Sequence, residues 1–244
     1  MTLTDLKISM RCRERIFLLD RKKFSDQESM CKAIVTSVVA LLQEEFTLGK
    51  QFHLALTGGQ VGGIVSKHLA ERINEDPSSF KGLHIWWSDE RFVAQENNER
   101  NSQAFLDALA AQGFIHIHES AAADFNIDVD SSARSYAADL FDVDMGLTLL
   151  SIGADGHIAS LFPSLWSQEE TTSAIAIHEA PKPPAQRVSF SMNKINASAR
   201  VWLLASGAEK RMIIERVIAE DPLLPATFAR GRDETLLFTD QELE

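Results

Sequence analysis

The sequence predicts an α/β fold, a mainly parallel sheet with helices on both faces. Three observations predict it. Short apolar runs alternate with helix-length periodic segments, which implies right-handed crossovers between parallel strands. Met145–Ile152 is a nearly continuous apolar run, as expected of a strand covered on both faces. Trp86 and Trp87 are adjacent, so a strand there offers a large apolar side chain to each face.

Along the chain, Ile16–Leu19 is a brief strand candidate. Ser25-Asp26-Gln27-Glu28 has the form of a capping box, in which Ser25 and Glu28 satisfy each other's free backbone N–H groups. Met30, Ile34, Val38, Leu41, Leu42 and Phe46 then follow at helical spacing, with Gly49 near the expected stop. Phe52–Thr57 reads as a strand, followed by a glycine turn and a helix through about Arg72. Leu83–Ser88 and Phe114–His118 are strands, and Asn101–Ala111 and Ser132–Phe141 are helices. Further strands are expected at Ala174–His178, Val188–Met192, Val201–Ser206 and Leu236–Thr239, with a helix at Ala208–Ala219. Pro181-Lys182-Pro183-Pro184 is a rigid loop, because strand-like sequence resumes at once. With no repeat and no long linker, residues 1–244 read as a single domain.

Composition narrows the function. There are 24 Lys+Arg against 35 Asp+Glu, a formal charge of −11, which argues against nucleic acid or an anionic membrane as partner. A local basic pocket for a small anion remains compatible with that charge. Gly 12 and Pro 7 are too few for a low-complexity chain. Cys12 and Cys31 are too few for a disulfide framework or a four-thiolate zinc site. No apolar stretch reaches the ~18–20 residues that span a bilayer. Met1–Arg15 has no continuous apolar stretch of the kind a secretory signal carries, so the expected location is the cytoplasm.

In open parallel sheets, ligands bind beyond the carboxyl ends of the strands. Four expected strand ends carry unusual chemistry: Thr57-Gly58-Gly59-Gln60-Val61-Gly62-Gly63, Ser88-Asp89-Glu90-Arg91, Gly153-Ala154-Asp155-Gly156-His157 and Ser206-Gly207-Ala208-Glu209-Lys210. Their convergence on one edge says more than any of them alone. The first can hold an anion with its N–H groups and a helix N-terminus, or it is a tight turn. It has neither the Lys-Ser/Thr ending of a nucleotide loop nor the dinucleotide glycine pattern, so ATP and NAD are unsupported.

His157 follows two glycines after the most apolar strand, and imidazole titrates near neutral pH. It is the general-base candidate, with Asp155 orienting it or capping the next helix. A metal held by Asp155 and His157 is the weaker alternative, since no third ligand stands at a recognisable spacing. Asp89, Glu90 and Arg91 form either a solvated turn or part of the site. Lys210, in the first turn of its expected helix, opposes the helix macrodipole unless an anion sits there. Arg187 supplies a second cation or is a surface strand-end arginine. His116 and His118, two apart on a strand, read as an exposed polar face in preference to a metal pair. His53, His68, His84 and His178 have no distinguishing context. Ser160 lacks a nucleophile-elbow pattern.

Gly153-Ala154-Asp155-Gly156-His157-Ile158-Ala159-Ser160-Leu161-Phe162-Pro163 resembles the signature of the 6-phosphogluconolactonases. Trp87-Ser88-Asp89-Glu90-Arg91-Phe92-Val93, Glu99-Arg100-Asn101, Arg187-Val188-Ser189, Gly207-Ala208-Glu209-Lys210 and Leu224-Pro225-Ala226 are similar to further family segments, in order along the chain. The resemblance implies a NagB/RpiA/CoA-transferase-like α/β fold and hydrolysis of 6-phospho-D-glucono-1,5-lactone in the oxidative pentose phosphate pathway. It implies His157 as the base that activates water, and Arg91, Arg187 and Lys210 as the cations around the phosphorylated substrate. The Thr57-Gly58-Gly59 loop lies beside them, and Asp89 and Glu90 join the expected substrate-binding set. It implies a small phosphorylated sugar lactone as partner, no cofactor and no metal, and it fixes no oligomeric state. The chain departs from the family at Gln60-Val61-Gly62-Gly63, where Ser/Thr residues and a proline are usual, and at Ala94, which replaces a common proline.

Two other readings stay open at this point. The resemblance extends to glucosamine-6-phosphate deaminases, but their histidine element is typically followed by Ile-Ala-Phe-Asn-Glu-Pro, a glutamate this chain lacks. A non-catalytic sugar-phosphate sensor on the same scaffold is the alternative from another class.

Overall fold

The computed structural model describes residues 19–110 and 113–243. Cys12, the Met1–Arg15 segment, most of the Ile16–Leu19 candidate and the Ala111 end of the third expected helix lie outside them. The elements are β1 (Asp20–Lys23), α1 (Gln27–Thr47), β2 (Phe52–Leu56), α2 (Gly59–Glu75), β3 (Leu83–Trp87), β4 (Asp89–Arg91), α3 (Gln103–Ala108) and β5 (His116–Ile117). They continue as α4 (Val129–Asp139), β6 (Met145–Ser151), β7 (Ala174–Ile177), β8 (Arg187–Phe190), α5 (Met192–Asn196), β9 (Arg200–Ala205), α6 (Arg211–Ile218) and β10 (Glu234–Thr239).

Among the described residues, seven strands pair in parallel in the order β1-β10-β9-β6-β2-β3-β5. From β2 the chain moves outward to β3, and from β6 it moves the other way to β9. The crevice between β2 and β6 is therefore a switch point, the place where such sheets bind ligands. Side chains alternate along each strand, so the sheet feeds two cores. Leu54, Leu56, Leu147 and Leu149 pack with α1 and α2 on one face. Ala55, Leu150, Ile152, Val201 and Leu203 pack with α4, α6 and a second sheet on the other. Trp87 enters the first core and Trp86 the second, as their adjacency predicts. Met30, Ile34, Val38 and Leu42 form the buried stripe of α1, each worth ~1.5–3 kcal/mol of burial.

The second sheet was not expected. It is antiparallel, in the order β4-β8-β7. Between β7 and β8 the sequence has only a proline-rich loop, too short for a helical crossover, so the strands return antiparallel. Asp89-Glu90-Arg91 is thus a strand and no solvated turn. At α1, Asp26 is the N-cap, its carboxylate accepting from Ser29 N at 2.8 Å, and Ser25 donates to that carboxylate at 2.6 Å. The expected Ser25–Glu28 box is corrected accordingly. Helix α4 starts three residues early because Asp128 caps it through Ser131 N. Among the described residues, no helix is long and apolar enough to cross a membrane.

Candidate active site

The carboxyl ends of β9, β6, β2 and β3 are neighbours in the sheet, and the four loops meet around one cleft of about 360 Å³. Thr57, Gly58, Gly59, Asp89, Arg91, His157, Arg187 and Lys210 all line it. Glu90 and Asp155 do not.

The histidine loop closes on itself. Gly153 N donates to His157 O at 2.8 Å and Gly156 N donates to Gly153 O at 3.0 Å. A Cβ on Gly153 would stand 2.0 Å from His157 Nδ1, so only glycine lets the imidazole fold back here. Gly156 has φ +83, and Ala226 N donates to its carbonyl at 3.1 Å. The Leu224-Pro225-Ala226 segment thereby packs against the loop. The Asp155 carboxylate is hydrogen-bonded to His157 Nδ1, and that bond holds its pKa down to about 2. An ionised acceptor requires the proton on Nδ1 of the neutral imidazole, which leaves the Nε2 lone pair free. The Phe162 ring lies against the imidazole, centroids 4.7 Å apart.

Strand pairing assembles the cations. Arg91 and Arg187 are direct cross-strand partners on β4 and β8. Like charges placed opposite each other oppose folding unless an anion joins them. Arg91 Nε is buried without a hydrogen-bond partner among the described residues. Arg187 is no surface residue: it is buried, and burial, then the nearby Arg91, pushes its guanidinium pKa down. The proline loop wraps it, since Nε donates to Pro184 O and Nη2 to Lys182 O. Lys210 closes a tight turn before α6, and its Nζ donates to Ile152 O at 2.9 Å. Partial burial lowers its pKa, opposed by Glu209 and reinforced by Lys182. Asp240 holds this turn by accepting from Gly207 N at 3.0 Å.

The glycine loop forms the floor. Gly58 caps α2 with no side-chain bond, and Gly59 has φ +78. Ser151 ties the floor to β6: its N donates to Thr57 Oγ1 at 3.2 Å and its Oγ to Gly58 O at 2.9 Å. Gly62 is fixed by crowding, since a Cβ there would meet Thr57 O at 2.3 Å. Asn101 donates to Asp89 O at 2.8 Å and to Asp89 Oδ1 at 3.1 Å. It occupies space that a Cβ on Gly58 would need, 2.0 Å from Asn101 Oδ1.

Glu90 is corrected from the substrate-facing set. It is buried and accepts from the backbone N–H groups of Arg91, Asn101 and Ser102, at 2.7, 2.6 and 3.0 Å, with Arg100 3.8 Å away. Burial raises its pKa against those partners. Its work is to tie β4 to the Asn101 turn.

Sequence reasoning did not single out Asn101, Ser151 or Lys182, which also line the cleft. Asn101 lay within a family-like segment, and Lys182 lay in a loop assigned only rigidity. His53 and His84, which carry no distinguishing context in the sequence, join His116 and His118 in a row. His53, His84 and His116 are cross-strand neighbours, stacked with centroids 4.3 Å apart, and His118 stacks on Trp86 at 3.9 Å. The row packs on Trp86 through His53 and His118; His116 is exposed, as the polar-face reading of that strand expected, and His118 is half-buried. Among the described residues, no group of three or more His, Cys, Asp or Glu is arranged to hold a metal ion.

The family model described as glucosamine-6-phosphate isomerases/6-phosphogluconolactonase matches residues 25–238. The chain is 33% identical over 238 residues to a 6-phosphogluconolactonase of Streptomyces coelicolor, covering 88% of this chain and 89% of that one. It is 31% identical over 239 residues to the 6-phosphogluconolactonase of Mycobacterium tuberculosis, covering 90% and 94%. The solved 6-phosphogluconolactonase of Trypanosoma cruzi superposes with a TM-score of 0.79 at 20% identity, covering 91% and 95%, a likeness of fold. A monomeric glucosamine-6-phosphate deaminase superposes similarly, at TM-score 0.76 and 17% identity, covering 91% and 97%. The carboxyl-edge cleft and the matched length agree: this chain belongs to the glucosamine-6-phosphate isomerase/6-phosphogluconolactonase family.

Proposed function

We propose that the chain is a 6-phosphogluconolactonase, an enzyme that hydrolyses 6-phospho-D-glucono-1,5-lactone to 6-phospho-D-gluconate in the oxidative pentose phosphate pathway. The observation that carries this reading is one cleft holding His157 together with Arg91, Arg187 and Lys210. An acidic chain has gathered Arg91, Arg187, Lys210 and Lys182 around an imidazole, which suits a phosphorylated substrate opened by a proton-transfer catalyst.

In this mechanism Arg91, Arg187 and Lys210 hold the substrate's anionic end, with the N-terminal N–H groups of α2 beside them. His157 Nε2 removes a proton from water as its oxygen bonds to C1. The lactone carbonyl becomes a tetrahedral oxyanion, stabilised by the cations or by loop N–H groups. As the intermediate collapses, the bond from C1 to the ring oxygen breaks, and imidazolium returns the proton to that oxygen. The new acid then ionises. Asp155 keeps the Nδ1 proton in place and stabilises the cation that His157 becomes. General acid–base work of this kind supplies ~10²–10⁴-fold. No step needs a metal or redox cofactor.

The deaminase alternative needs a carboxylate after the histidine motif. The residues there are Ser160, buried on Asp89, and Phe162, packed on the imidazole. That supports lactone hydrolysis. The small charged substrate makes the cytoplasm the proposed location, because a sugar phosphate does not cross bilayers unaided. A continuous assay with fresh lactone, corrected for spontaneous opening, tests the reading. Accelerated decay is expected; binding of 6-phosphogluconate with decay at the spontaneous rate would make the protein a sensor.

A further inference from the structure

Ser160 does not line the cleft, yet its buried hydroxyl donates to Asp89 Oδ2 at 2.6 Å. Its N–H donates to Ser189 Oγ at 3.1 Å, so it touches both β4 and β8. Ala159, just before it, has φ +48, a conformation that an alanine seldom takes. The turn accepts that strain and aims Ser160 inward.

Asp89 is buried beside a guanidinium. Arg187 Nη1 stands 4.0 Å from Asp89 Oδ2, beyond hydrogen-bond length. The other two nitrogens of Arg187 are committed to loop carbonyls. Nη1 is therefore the guanidinium nitrogen without a hydrogen bond among the described residues. Asp89 is held at both oxygens, Oδ2 by Ser160 and Oδ1 by Asn101.

We infer that Ser160 is a positioning residue that keeps Arg187 available to the substrate. Its hydroxyl occupies Asp89 Oδ2 and holds the carboxylate back from Arg187 Nη1. Without it the carboxylate closes on the guanidinium, and a buried contact pair presents far less positive field to a phosphate. The inference rests on the lactonase reading for its substrate. Its logic differs from simple support of the fold, because it predicts a loss of binding with chemistry intact.

The test compares wild type with Ser160→Ala and with Ser160→Cys, which keeps the volume but donates weakly. Lactonase kcat and KM are measured, with Kd for 6-phosphogluconate by calorimetry. Both variants are expected to raise KM and Kd about tenfold, the weight of one charge-assisted contact, with kcat retained. In an Asp89→Asn background the same Ser160 changes should add little, since a neutral amide cannot neutralise Arg187. Unchanged Kd in both variants overturns the inference. So does a fall in kcat at constant KM, or a full penalty persisting beside Asp89→Asn. If wild type itself fails to turn over lactone, the lactonase reading falls, and the Kd comparison still judges Ser160.

Discussion

Arg91 and Arg187 face each other across the β4–β8 ladder, two guanidiniums in direct register at the mouth of a cleft. Among the described residues, neither has a carboxylate within hydrogen-bond length; Asp89 stands 4.0 Å from Arg187. An arrangement that opposes folding when empty and favours an anion when filled is a binding site by its electrostatics.

Lys210 belongs to the same cationic set, anchored at one point by Ile152 O. Lys210→Met keeps most of the stem and removes the charge. KM for the phosphorylated lactone should rise about tenfold or more, as expected for loss of a charge-assisted contact. Steady-state kinetics check it. An unchanged KM, with binding of 6-phosphogluconate also unchanged, removes Lys210 from the phosphate site.

Gly153→Ala puts a methyl where His157 Nδ1 and Asp155 Oδ1 now lie, at 2.0 and 2.7 Å. The imidazole must swing away, so kcat should drop at least about tenfold while most of the core packing stays in place. Activity and a thermal melt on the same sample separate the two effects. Full kcat would mean that the loop geometry has no part in catalysis.

The fold is more legible in the sequence than the partners of its charged groups. The parallel sheet and its core stripes follow from periodicity, because Leu54, Leu149 and Ile34 leave few choices about which face is inside. The meeting of four strand-end loops follows from topology. The partners of each charge do not. Glu90 carries the same charge as Asp89 one residue away, and only the pleat of β4 decides that it turns to Asn101 and Ser102 instead of the cleft. Arg187 became buried because a proline loop folds over it, a tertiary event without a local signal. The histidine row needed the register of three strands distant in sequence.

Glu90→Gln should destabilise the fold by about 3 kcal/mol, since it strips the charge from a buried group beside the fully buried Arg100 side chain. Urea unfolding measures it. The KM of the folded fraction should hold. A stable protein with a raised KM would return Glu90 to the substrate-binding set.

The histidine row makes the fold acid-sensitive. Burial, then neighbouring imidazoles and Lys194, lowers His53 to about 4; burial and the other three histidines lower His84 to about 4. Burial also lowers His118, while Asp144 and Asp139 oppose these shifts weakly. Folded pKa values lie below the unfolded value of 6.5, so the unfolded chain takes protons first as pH falls. Stability is thus complete above 6.5 and declines between 6.5 and about 4. Urea midpoints across that range should fall in wild type and fall less steeply in His84→Gln. A flat wild-type profile would contradict the assignment.

Catalysis itself is decided at His157, largely buried at the edge of the cleft and fastened through Nδ1 to Asp155. The most direct measurement is lactone turnover by His157→Ala beside wild type, corrected for spontaneous ring opening, with 6-phosphogluconate affinity measured on both. The variant's kcat should be lower by ~10²–10⁴-fold with affinity largely kept. Wild-type kcat in that variant would contradict a catalytic role for His157.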